Sequence, residues 1–92
     1  MAIQNTLELE AVLTRVILKL DKQIAERGTW PVLEEARRTV TQIRAVTRDA
    51  AKLKALRAKL RGAAETIITE VAADGALHED VWDVEDFVDY RA

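Results

Sequence analysis

Cysteine and serine are both absent from the 92-residue sequence, and His78 is its single histidine. The missing thiols exclude disulfides, thiolate metal sites and cysteine nucleophiles, and the missing serine excludes a serine nucleophile. His78 has Glu79 and Asp80 beside it in sequence, but adjacent helical positions do not face each other. With Trp82 one turn further on, it reads as a surface or cap histidine. The run from Glu70 to Val81 matches part of a calcium loop: an acid at Asp74, a turn glycine at Gly75 and an apolar Leu77. The loop fails at its ligands. Its third position is Ala72, and its twelfth is Val81 where a bidentate glutamate is required. A di-iron bundle needs Glu-x-x-His pairs on separate helices, which one histidine cannot supply. Gly28, Gly62 and Gly75 are too scattered to cradle a phosphate. Glu65, Glu70 and Glu85 fall on polar helix faces, so no carboxylic acid or base with a displaced pKa is expected. The expectation is a chain without catalytic residues, metal ligands, cofactor or small-molecule substrate.

Charge is the feature that stands out. Residues 1–35 carry a net charge of −2 and residues 36–62 carry +8, with Asp49 the only acid. Residues 63–92 carry −8, with Arg91 the only base. On a continuous helix Arg37, Arg44, Arg48, Lys52 and Lys59 form one basic stripe, the electrostatic footprint of nucleic-acid binding. No aromatic residue is interleaved with it to stack on bases, and the sequence pI of 5.4 is acidic. The opposite charge is crowded at the other end. Glu79, Asp80, Asp83, Glu85, Asp86 and Asp89 repel one another unless a positive surface is near. Trp82, Phe87 and Tyr90 share this segment and point in different directions, more than one short helix buries against a small bundle. Aromatic anchors flanked by acids point to an interface.

These side chains are positioned by helices. Leu9, Val12, Leu13, Val16, Ile17, Leu20 and Ile24 follow the spacing of one helical face, predicting a helix over about 5–27 with Asn5 and Gly28 as caps. Pro31 suits a first turn, with Thr29 or Trp30 before it as cap, and opens a helix over about 31–46. Leu33, Ala36, Val40 and Ile43 define its face. Leu53, Leu56, Leu60, Ile67 and Val71 define another, more than a quarter-turn away, so a straight helix cannot serve one core. A break is expected at Thr47-Arg48-Asp49 and a third helix over about 49–73. One curved helix over both is the alternative. Asp74-Gly75 ends that segment, and Leu77, Val81, Val84 and Val88 mark a last helix over about 77–90. The expected fold is all-α and one domain over residues 1–92. It is a three- or four-helix bundle, or an antiparallel hairpin with a short C-terminal helix. The N-terminus lacks the basic and apolar regions of a secretion signal, and no apolar run approaches the ~20 residues of a membrane span. A cytoplasmic location follows as the expectation, with no membrane partner.

The functional expectation is a non-enzymatic interaction or assembly module. It docks on a protein or self-associates through Trp82, Asp83, Asp86, Phe87, Asp89 and Tyr90, with the basic stripe receiving an acidic helix of its own or another chain. Removal of residues 77–92 is expected to abolish association and leave the remaining helices folded. The alternative is a small nucleic-acid-binding regulator whose basic stripe is screened by the acidic helix.

Overall fold

The structure, a computed structural model, describes residues 3–91. It contains five helices: α1 (Thr6–Arg27), α2 (Pro31–Ala45), α3 (Ala50–Ala55), α4 (Arg57–Glu70) and α5 (Gly75–Tyr90). Each boundary has a local cause. The Asn5 carboxamide accepts from the Glu8 amide at 2.8 Å, and Glu8 reaches back to the Gln4 amide at 2.6 Å. One free amide of the first turn and the amide just before the cap are thereby occupied. Gly28 closes α1 at φ +93°, a left-handed conformation that costs glycine little. Trp30 precedes α2 without a side-chain cap; its amide donates instead to Glu34. Asp49 and Asp74 cap α3 and α5 by accepting from the Lys52 and Leu77 amides.

The expected break at 47–49 is present, and Asp49 rather than Thr47 makes the cap. Thr47 is buried, and its hydroxyl donates to the Glu10 carboxylate of α1 at 2.8 Å. The expected helix over 49–73 is corrected to two, divided at Leu56. There the amide is shared between the carbonyls of Lys52 and Leu53, tightening the turn and redirecting the chain. Neither glycine nor proline marks this site, so composition carried no sign of it. The helix also stops earlier than expected, with Val71 as its C-terminal cap.

The helices pack in a bundle-like arrangement. α2 lies against α1 and α4, and α5 lies against the same two, so α2 and α5 are diagonal to each other. α3 touches α4 and α5. Direction follows from the ion pairs. Arg37 meets Asp21 and Arg48 meets Glu10, so α1 and α2 run antiparallel. Asp74 meets Lys19 and Asp80 meets Arg15, so α5 runs antiparallel to α1.

The core is one cluster fed by all five helices. Leu13 and Val16 of α1, Val40 of α2, Leu60 and Ile67 of α4, and Val81 and Val84 of α5 line a central void of about 10 Å³. A gap that small is no larger than a single water and is wholly apolar, so it stays dry. The apolar faces read from the sequence are the buried ones, with Leu56, Val12, Ile17 and Ile24 only partly covered. No helix of the described residues is long and apolar enough to cross a membrane.

Candidate functional site

α5 divides its side chains sharply. Leu77, Val81, Val84 and Val88 face the core, and Phe87 joins them at 6% exposure. Phe87 is therefore corrected from interface anchor to core residue. On a helix of 100° per residue, Trp82, Asp86, Glu79, Tyr90 and Asp83 fall within an arc of about 100° on the outer side. Trp82 is 50% exposed and Tyr90 83%. Trp82 is steadied by the His78 ring, which meets it edge-on at 6.1 Å. The His78 Nε2 in turn lies 2.7 Å from the Val71 carbonyl and ties α5 to the end of α4. The histidine is a cap, as its surroundings in sequence suggested.

The acids separate into two groups. One turns inward to cations of the same chain. Asp80 is buried and receives both the Nε and Nη2 of Arg15 at 2.7 and 2.8 Å. Asp89 is shared by Arg57 and Arg61 at 3.7 Å each. Asp89 thus braces α5 on α4, and its place among the outward anchors is corrected. The other group is Glu79 and Asp86, both exposed and without an ion-pair partner among the described residues. Asp83 stands half-buried beside them. Glu85 lies at the α4–α5 edge, where burial pushes its carboxyl above the usual range. Nearby Arg61 opposes this, while Asp89, Asp86 and Glu65 add to it.

The basic stripe is not one stripe. The break at 46–49 and the bend at Leu56 interrupt the continuous helix it required. Arg37 is paired with Asp21, and Arg48 lies 3.5 Å from Glu10. Arg44 donates to the neutral Thr14 hydroxyl at 2.7 Å, so its charge is not offset there. Lys52 reaches only its own Asp49, at 4.0 Å. Lys59 is carried away to the α2–α4 groove, beside Glu35 and Gly62. Arg44, Arg48 and Lys52 share one hollow at the α2–α3 corner. Next to it, between α1 and α2, a hollow of about 320 Å³ is lined by Ile17, Leu18, Thr41, Arg37 and Arg44. Leu18 there is 63% exposed. This apolar floor with an arginine rim was missed in the sequence, because Leu18 is one residue off the α1 core stripe and the arginines are distant in sequence.

The cations that hold the acidic helix are thus Arg15, Lys19, Arg57 and Arg61, none of them in the stripe. No cluster of three His, Cys, Asp or Glu side chains able to hold a metal occurs among the described residues. Comparison of the chain with protein-family models, with curated proteins and with solved structures finds no match.

Proposed function

We propose that this protein is a non-enzymatic helical docking module, built as an up-and-down bundle of α1, α2, α4 and α5, that binds a basic protein surface through the outer face of α5. One observation carries the reading: the two exposed aromatics Trp82 and Tyr90 stand beside the carboxylates Glu79 and Asp86, which no cation of the described chain meets. Aromatic rings supply contact area at little entropic cost, and the acids steer a basic partner and set its orientation. Packing alone does not require the aromatics there, since the core of α5 is complete without them. The nucleic-acid reading is the weaker one. Its five cations do not form one stripe: Lys59 lies in the α2–α4 groove apart from the other four, and two of those four are paired with acids of α1.

The test uses the full chain and a synthetic lysine- and arginine-rich amphipathic peptide, followed by amide chemical shifts. Perturbations confined to residues 79–90, lost in Trp82→Ala and Asp86→Lys, are the expected result. Weaker binding should follow as salt is raised from about 0.1 to 1 M, because the screening length falls from about 10 to 3 Å. Shifts centred elsewhere, or none, overturn the reading.

A further inference from the structure

We infer that the basic surface received by α5 belongs to a second copy of this chain, and that it is the α1–α2 hollow around Leu18 and Arg44. The inference rests on the docking reading of the α5 face and names its partner.

The two surfaces match in chemistry. The outer face of α5 offers Trp82 and Tyr90 with Asp86 between them. The hollow offers the exposed aliphatic Leu18 and the half-buried Ile17, rimmed by Arg37 and Arg44. An aromatic ring covers the leucine, and a guanidinium is left to meet a carboxylate or to stack on the ring. The spacing matches too. Trp82 and Tyr90 are separated by about 12 Å along their axis, and Arg37 and Arg44 by about 10 Å, at 1.5 Å per residue. Arg44 is the centre of the hollow's uncompensated charge, because the group it donates to is the neutral Thr14 hydroxyl. Arg48 and Lys52 extend the same sign around the corner.

The fold prevents the chain from joining the two surfaces itself. α2 and α5 are diagonal, each flanked by α1 and α4, so the basic hollow and the acidic face look outward on different sides. Complementary patches on different sides of one molecule make a head-to-tail contact. Such a contact closes into a ring or continues as an open chain, and differs from a two-fold dimer in which one patch meets itself.

The experiment is sedimentation velocity of the full chain across a concentration series at about 0.1 and 1 M salt. The wild-type protein is expected to gain mass with concentration, less so at the higher salt. Arg44→Glu and Leu18→Glu disable the hollow, and Trp82→Ala disables the α5 face. Each is expected to raise the self-dissociation constant at least about tenfold. All three side chains are exposed, and thermal melts by circular dichroism verify that the variants fold. The decisive sample is an equimolar mixture of Arg44→Glu and Trp82→Ala proteins. Each retains the face the other lacks, so a 1:1 dimer that grows no further is expected. A wild-type protein that stays monomeric overturns the inference. If the basic peptide still binds α5 in that case, the docking reading stands without it; if not, both fall. Association lost in Trp82→Ala but kept in Arg44→Glu and Leu18→Glu also overturns it, since α5 is then meeting another surface. So does a mixture that yields no dimer.

Discussion

Three aromatic or acidic positions on α5, only three residues apart at most, have different fates. Phe87 is buried in the common core, whereas Tyr90 is exposed and Asp89 is held by two arginines. Phe87→Ala leaves a cavity expected to cost about 3–5 kcal/mol, a large part of the roughly 5–15 kcal/mol that holds a domain together. Tyr90→Ala is expected to change stability by less than about 0.5 kcal/mol. Urea titration of both variants checks this contrast, and equal effects would contradict the burial described. Glu85 gives a pH prediction. Burial raises its pKa in the folded state, so the folded chain binds that proton more tightly than the unfolded one. The stability it contributes is fully present below its unfolded value and is lost as pH rises through the folded value. At neutral pH the charged form opposes folding. Glu85→Gln is expected to raise Tm by about 1–3 °C at pH 7, with the gain vanishing near about pH 4. A variant less stable at pH 7 would show that the attraction of Arg61 outweighs the cost of burial.

At the scale of elements, α5 is structural as well as exposed. Leu77, Val81, Val84, Phe87 and Val88 all enter the common core, and Asp80 locks onto Arg15. This burial predicts, against the expectation from sequence, that residues 1–76 do not fold alone. Truncation at residue 76 uncovers apolar faces of α1 and α4, and a chain this small has little stability to lose. Circular dichroism of residues 1–76 is expected to show no cooperative thermal transition. A sharp melt would mean that α1, α2 and α4 suffice. The division at Leu56 belongs to this scale as well. Leu53 and Leu60 are both buried in the common core, and the turn between them is tightened at Leu56, whose amide is shared between two carbonyls.

At the scale of the whole molecule, a net charge of −2 conceals segments of +8 and −8. Folding spends part of this contrast internally, through Arg15, Lys19, Arg57 and Arg61 on the acidic helix and Asp21 and Glu10 on the basic one. Most of these pairs are solvent-exposed and contribute little stability each. Their stronger effect is on orientation, since each fixes which helices are neighbours and in which direction they run. The unspent remainder is divided between the diagonal helices, and that division gives the proposed association its head-to-tail sense and its sensitivity to salt.

Much of the fold was legible in the sequence because helix starts, stops and buried faces are local. Asn5, Gly28, Pro31 and Asp49 each act within a turn of themselves, whereas Asp74, read from the sequence as the end of the preceding helix, is the cap that opens α5. The apolar stripes of α1, α2 and α5 follow from 3.6-residue periodicity alone. The segregation of charge and the absence of thiols, serine and a histidine pair were likewise fixed by residue identity. Only the tertiary structure decided that Phe87 turns inward, that Asp80 and Asp89 are held by Arg15, Arg57 and Arg61, and that Lys59 is parted from the other four stripe cations. It also decided that Leu18 shares a hollow with Arg37 and Arg44, residues of another helix. The reason is physical. Periodicity assigns each side chain an angle around its own helix, but what lies at that angle depends on which helices are neighbours, and packing across the whole chain settles that.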